Sequence, residues 1–374
     1  MMRINFTNFP QEFKLLKKEL IRKFINLGNK GEYVLGSELE KFERNIEKYL
    51  NIKHAIGVGN WTEGTIMLLK ALDFKKDDEI ITVSNSFIAT CGAIVFGGCK
   101  PILVDIKSDL NIDPNLIKKK ISKKTRAIMP VHLSGIPSNM KILKKLCKKH
   151  NLLLIEDAAH AFGIKYYNQH LGTIGDVGVF SLHPRKSFHV LGDGGLIVTN
   201  NTRIYKKIKL MRNHGLKNRD EADVWGTNSR LDNLQAGFGN IMLKKIDKWN
   251  KTQLDIAKYY SKNLKNLKNL VEIPEYNLKI SNPSFHQYII KVKYRDKLKV
   301  FLKKNKIETA IHYPVPIHQQ KAFIKQYGKI KLPITELYSN KILSLPINPH
   351  LKKKEIDFVI KKIKHFYNQS LNEK

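Results

Sequence analysis

From residue 54 to about residue 200, short apolar runs alternate with amphipathic segments, and this rhythm restricts the chain more than any other feature. "HAIGVG" is followed by "TEGTIMLLKALDF", "DEIITVS" by "SFIATCGAIVFGG" and "KPILVDI" by "DPNLIKKKIS"; "AIMPVHLS" precedes "NMKILKKLCKKHN", and "LLLIED" follows. Strands that alternate with helices pack as a mostly parallel sheet with helices on both faces, an α/β fold. Asp113-Pro114 supplies a cap residue and a first-turn proline where one of these helices begins. Residues 200–260 read as long helices carrying "RNHG" and "TNSRLDNLQAGFGNIMLKKID". Ahead of the alternating region, residues 11–50 read as two amphipathic helices separated by "GNKGEYVLG". Beyond about 260, "SFHQYIIKVKY" alternates like a half-buried strand, and the helix "RDKLKVFLKKNKI" and a basic terminal helix follow, which suits a smaller α+β unit. The predicted domains are an N-terminal helical segment (1–50), a large domain (51–250) and a small C-terminal domain (251–374).

Composition narrows the function. The formal charge of +34 invites a nucleic-acid reading, but only 10 of the 67 basic residues are Arg, and the lysines are spread over every amphipathic segment. Nucleic-acid surfaces concentrate base in patches and favour the bidentate geometry of Arg. The charge therefore reads as solvated helix faces that draw acidic small molecules and phosphates at low salt. No run approaches the roughly 20 apolar residues of a membrane span, and "MMRINFTNFP" lacks the apolar core of a signal peptide. Cys91, Cys99 and Cys147 show neither a CxxC nor a disulfide framework, so the expected compartment is the cytoplasm, with no metal site.

In sheets of this class ligands sit beyond the carboxyl ends of the strands. Thr62, Glu63 and Gly64 open a helix directly after "HAIGVG", where free amides and the helix dipole favour an anion. Taken alone, that turn reads as an ordinary cap at Thr62. Asp157 ends "LLLIED", a strand apolar enough to be buried on both faces. A carboxylate there needs a cationic or hydrogen-bonding partner; it either pairs with a protonated ring nitrogen or caps "AAHAFG". Lys186, in "SLHPRKSFHVLGDGG", follows 29 residues later (186 − 157), about one crossover, so the two can face one crevice. A desolvated amine has a lowered pKa and becomes a nucleophile. Ser181, at the preceding strand end, can bind a phosphate, and Phe87 can stack on a planar ring. A covalent Lys, an Asp for a pyridinium, a stacking aromatic and a phosphate cup are the parts of a pyridoxal phosphate site.

With these residues placed, the chain resembles the DegT/DnrJ/EryC1/StrS family of sugar aminotransferases, a branch of the fold-type I pyridoxal phosphate enzymes. "GEYVLGSELEKFE" resembles the family's entry segment, "GVGNWTEG" its phosphate turn and "IEDAAHAFG" its Asp segment. "GDVGVFSLHPRKSFHVLGDGGLIVTN" resembles its Schiff-base segment, "WGTNSRLDNLQA" its dimer-crossing segment, and "HYPVPIH" and "LSLPINP" its C-terminal domain. Seven motifs in the family's order are specific. The resemblance implies that Lys186 is the Schiff-base lysine and that Asp157 pairs with the pyridine nitrogen. It also implies that Thr62, Glu63 and Ser181 bind the phosphate, Phe87 stacks, and Asn228 reaches the partner subunit's cofactor phosphate in a homodimer with shared sites. His312, Tyr313 and His318 of "HYPVPIH" fall near the substrate; two histidines six apart are too few for a metal, leaving substrate contact or loop packing.

Three departures stand out. His160 replaces the usual Gln that contacts the cofactor's phenolic oxygen, and an imidazole can still donate there. Trp61 replaces a common Gly and narrows the substrate side. Lys186 is retained where related sugar dehydratases carry His, although His183 and His189 flank it. The implied reaction is transfer of an amino group from glutamate to a keto carbon of a nucleotide-linked deoxysugar, for surface-glycan or secondary-metabolite sugars. "GDGG" after Lys186 resembles members acting on 3-keto rather than 4-keto sugars. The rivals are a pyridoxal phosphate-dependent sugar dehydratase and a non-catalytic cofactor-binding regulator.

Overall fold

The computed structural model describes residues 3–267 and 269–372. Two helices come first, α1 (Phe9–Lys30) and α2 (Ser37–Leu50), as the two amphipathic patterns predict. The alternating region follows: β1 (His54–Val58), α3 (Trp61–Ala71), β2 (Glu79–Val83), α4 (Ala89–Phe96), β3 (Lys100–Val104), β4 (Thr125–Ile128) and β5 (Leu153–Asp157). A small hairpin, β6 (Lys165–Tyr166) and β7 (Gln169–His170), precedes β8 (Val177–Ser181) and β9 (Gly195–Thr199). The seven-stranded sheet has the order β1-β9-β8-β5-β4-β2-β3. Only β9 runs against its neighbours, pairing antiparallel with both β1 and β8.

The apolar runs follow from burial on both faces. Along the strands, side chains alternate between two cores. Ile56, Ile80, Ala127, Ile155, Val177, Val179 and Ile197 pack with Met67 and Leu68 of α3 and Ile208. Ala55, Ile81, Ile128, Leu154, Phe180, Leu196 and Val198 pack with Phe42 and Ile46 of α2 and with Leu143 on the other side. A strand with helices above and below has no solvent face and so carries no polar alternation.

Two readings of the sequence are corrected. The stretch 200–260 is not continuous long helix: a helix at Thr202–Met211 ends, residues 212–232 are irregular, and helices resume at Asn233–Leu243 and Ile246–Leu264. The main chain there is engaged elsewhere, with Ser229 N–H donating to the Arg212 carbonyl at 3.0 Å and Thr227 N–H to Met211 at 2.7 Å. "SFHQYIIKVKY" is not half-buried. It contains β11 (Tyr288–Val292), the middle strand of a sheet with β10 (Val271–Glu272) and β12 (Ile342–Leu345), and all five residues of β11 are buried.

The boundary expected at residue 250 falls inside a continuous helix. Ile246 and Trp249 pack in the first core, while Leu254, Ala257, Tyr260 and Leu264 of the same helix join the C-terminal core. The N-terminal segment is also shared, because Ile4 pairs with Ile307 and packs in the C-terminal core.

Candidate active site

Because β1, β2, β4, β5 and β8 are parallel, their carboxyl ends share one edge. A cavity of about 730 Å³ opens there, bordered by Asn60 and Thr62, Ser86 and Phe87, Val131, Asp157 and Ser181. The turn from β1 into α3 lies close against β9: a Cβ at Gly195 would stand 2.5 Å from the Asn60 carbonyl carbon, so only glycine permits this approach.

Asp157 ends β5, 4% exposed. Oδ1 accepts from Ala159 N–H at 3.2 Å and Oδ2 from the Thr90 hydroxyl at 3.1 Å, with Ser86 Oγ 2.8 Å behind Thr90. The carboxylate thus caps its own turn with one oxygen and meets a hydroxyl chain with the other. Burial raises its pKa, opposed by these hydrogen bonds and by Lys186. A group in that state is stabilised further by a cation in the cavity.

Lys186 sits between β8 and β9, in a segment pinned from inside. Leu182, Phe188 and Val190 are core residues, and the Phe188 ring stacks on Phe162 with centroids 3.9 Å apart. Leu182 N–H donates to Gly194, Val190 N–H to Leu182, and Lys186 N–H to His183 at 2.8 Å. The apolar residues face the core and the half-buried lysine borders the cavity. Burial lowers its amine to about 8, against the opposing pull of Asp157. Near neutral pH the neutral form is a minor fraction, but far larger than for an ordinary lysine, as a nucleophilic amine requires.

The helix cap is Asn60, not Thr62: Asn60 Oδ1 accepts from Glu63 N–H at 2.9 Å. The earlier amides of α3, at Trp61 and Thr62, have no intrahelical acceptor and lie at the cavity. Thr62 borders the cavity with Ser181, but the exposed Glu63 does not, its amide being taken by the cap. Phe87 borders the cavity, 57% exposed, with its ring centroid 6.0 Å from that of Tyr313. Trp61 is 7% exposed and packs largely in the core under α3, so it narrows the cavity less than the sequence implies.

His160 borders the cavity, and its Nδ1 accepts from Ser134 N–H at 3.3 Å. Burial and the Lys186 charge hold it well below the usual histidine pKa. The neutral ring therefore carries its proton on Nε2, which can donate. His286 lies against it, centroids 4.4 Å apart, and is neutral for the same reasons. His312 and Tyr313 also border the cavity; His312 Nδ1 lies 2.8 Å from Ser344 Oγ, and burial lowers its pKa to about 4. His318 does not reach the cavity. Its buried ring spans Ser84 Oγ at 2.7 Å and Glu336 Oε1 at 3.0 Å, which makes it a loop-packing group. Asn228 is exposed, bridged to Asn213 and away from the cavity of its own chain.

Sequence reasoning missed the hydroxyl chain Ser86–Thr90, His286 with Gln287, and the N-terminal residues Phe6–Phe9 and Glu12, all of which border the cavity. Ser86 and Thr90 follow a strand end and were open to the rule used for Asp157. The others carry no motif.

A buried carboxylate that favours a cation, a cavity-facing amine of lowered pKa, and free helix amides beside Thr62 and Ser181 match a pyridinium, an aldehyde and a phosphate. The donor set fits pyridoxal phosphate. Sheet, small domain and cavity together define a fold-type I aminotransferase. The family model described as DegT/DnrJ/EryC1/StrS aminotransferase family matches residues 14–364, and the chain belongs to that family. A relative from Geobacillus stearothermophilus named pleiotropic regulatory protein is 34% identical, covering 98% of this chain and 99% of that one. The dTDP-3-amino-3,6-dideoxy-alpha-D-galactopyranose transaminase of Aneurinibacillus thermoaerophilus is 35% identical, covering 97% and 99%. The crystal structure of S. venezuelae DesV in complex with a ketimine intermediate superimposes with a TM-score of 0.94 at 32% identity, covering 98% and 99%. Among the described residues no helix is long and apolar enough to cross a membrane, and no group of His, Cys, Asp and Glu could hold a metal.

Proposed function

We propose that this aminotransferase uses pyridoxal phosphate to move an amino group from glutamate to the C3 keto carbon of a nucleotide-linked deoxysugar, in the cytoplasm. The observation that carries the reading is Lys186 and Asp157 on one cavity at the sheet edge, the amine lowered to about 8 and the carboxylate buried. Pyridoxal phosphate supplies an electron sink for the carbanion at the donor's α-carbon. Lys186 Nζ would hold the cofactor covalently, and the same amine, with its lowered pKa, would take and return the donor's α-proton. Asp157 keeps a cation at the ring nitrogen. The Thr62 amide and hydroxyl and Ser181 Oγ would hold the phosphate, Phe87 would cover the ring, and His160 Nε2–H would donate to the phenolic oxygen. Neutral His286 and His312, with Tyr313, offer donors and acceptors suited to sugar hydroxyls.

The transaminase relative is named for a 3-amino-3,6-dideoxy sugar, which supports C3. Exposed Phe13, Ile21, Phe24 and Ile25 on α1, and Trp225 at 97% exposure, suit a subunit interface that would bring Asn228 to the partner's site. The purified protein should show a cofactor absorbance band that glutamate bleaches and a 3-keto nucleotide sugar restores, with the amine located by NMR. A band indifferent to glutamate would support a regulator, and loss of a hydroxyl without amination a dehydratase.

A further inference from the structure

Lys186 is held from behind by a group that its proposed chemistry does not use. His189 Nδ1 lies 3.0 Å from the Lys186 carbonyl oxygen, and His189 Nε2 lies 2.7 Å from Oε1 of Glu12. A carbonyl and an ionised carboxylate only accept hydrogen bonds, so the His189 ring faces an acceptor at each nitrogen and links Glu12 to the Lys186 main chain. Glu12 comes from the first turns of α1, and its other oxygen lies 3.6 Å from His350 Nε2 in the C-terminal unit. Burial alone would raise its carboxyl, but hydrogen bonds and charge from His189 and His350 outweigh burial and hold it at about 2.

The cluster is closed off. Glu12 is 7% and His189 4% exposed, Trp249 stacks parallel to His189 with centroids 6.4 Å apart, and the His350 ring meets Trp249 edge-on at 5.9 Å. All four residues border the cavity. An ion pair that only docked α1 could end on any surface of the large domain. This one ends on the main chain of the reactive lysine, whose N–H is already fixed to His183.

We propose that Glu12 and His189 are positioning residues for Lys186: the Glu12 carboxylate orients the His189 ring, whose Nδ1–H fixes the Lys186 carbonyl and so aims the Lys186 amine into the cavity. Charge-assisted hydrogen bonds are short and directional, and a reacting group needs such a supporting shell. The inference rests on the reading of Lys186 as the covalent lysine. It extends the site to the N-terminal helix, which the sequence reads only as an amphipathic segment.

The test compares Glu12→Gln, Glu12→Ala, His189→Ala and the Glu12→Ala/His189→Ala double variant. Three quantities are read: kcat and KM, the thermal midpoint, and the rate at which an acylating reagent labels Lys186 in cofactor-free full-length protein, followed by peptide mass. Misplacing a reacting group by about 1 Å costs on the order of a hundredfold. Each alanine variant should lose about ten- to hundredfold in kcat with little change in KM and should label Lys186 at an altered rate. The double variant should be no worse than the poorer single, because both act through one contact. Glu12→Gln, which keeps a polar group at Nε2 without the charge, should fall between. Variants that lose thermal stability but keep wild-type kcat and labelling overturn the proposal, as do losses that multiply in the double. If the alanine variants do not fold, unchanged kcat and labelling in Glu12→Gln overturn it alone. A wild type that traps no cofactor on Lys186 instead removes the reading on which the proposal rests.

Discussion

One wall of the cavity is the carboxyl edge of the seven-stranded sheet; the other is assembled from residues 6–12, 286–287, 310–313 and 347–350. The first wall presents Thr62, Ser86, Asp157 and Ser181 at the ends of parallel strands, and Lys186 in the connection after one of them. The topology alone brings these residues to one edge. The second joins the chain's beginning to its C-terminal unit, through Ile4 against Ile307, the Asn348 amide against the Phe6 carbonyl and Glu12 against His350. It exists only once the two units are packed. In the proposed function the sheet edge would serve pyridoxal phosphate, and the assembled wall, with His286 and His312 held neutral by burial and the Lys186 charge, would serve the substrate.

The largest effect should come from the sheet edge. Lys186→Ala removes the proposed covalent lysine and should cost orders of magnitude in turnover, while cofactor still binds noncovalently, as its absorbance after desalting would show. Equal activity of this variant and wild type would put the chemistry elsewhere. Asp157→Asn should follow. Removing one partner of a buried charge pair costs about 3–5 kcal/mol, so kcat/KM should fall at least about a hundredfold at unchanged fold by circular dichroism.

His160 lies between the two walls, against His286, and should respond by degree. His160→Gln keeps a donor and should be mild. His160→Leu leaves a partly desolvated oxygen and should cost about 1–3 kcal/mol in kcat/KM. Equal rates for Gln and Leu would remove the contact. The smallest kinetic effect should come from His318, off the cavity between Ser84 and Glu336. His318→Gln should lower the thermal midpoint by the equivalent of about 1 kcal/mol and leave kcat and KM unchanged. A raised KM would return it to the substrate wall.

The contrast also explains what the sequence showed. Strand apolarity in "LLLIED" and "VGVF" reports burial on both faces, so the three-layer fold was legible, and with it the rule that turns strand ends into candidates. The cap at Asn60 rather than Thr62 was a shift of two residues at a helix start, where local polar groups compete for the same amides. Residues 212–232 looked helical because their periodicity is weak evidence against main-chain bonds made to distant partners, such as Ser229 to Arg212. Glu12, His286 and His350 had no signal, because the partners they meet in space (His189 and His350 for Glu12, His160 for His286, Trp249 for His350) lie about 100 to more than 300 residues away in sequence, and no local pattern encodes such a meeting. His318 lay in the same motif as His312 and Tyr313, yet the loop turns it inward.

Of the 57 lysines, Lys186 is the one proposed to act as the nucleophilic amine of this cavity. Its pKa is lowered to about 8, so below that pH the protonated form dominates and reactivity falls with the shrinking neutral fraction, and above it the neutral form dominates. A surface lysine makes this change near 10.4. The direct measurement is to load the protein with pyridoxal phosphate, reduce it with borohydride across pH 6 to 10, digest it and locate the added mass. Label is expected on the peptide carrying Lys186 and, in cofactor-free protein, acylation of that residue half-maximal near pH 8. Label on another lysine, or a Lys186 that titrates with the surface lysines, would contradict it.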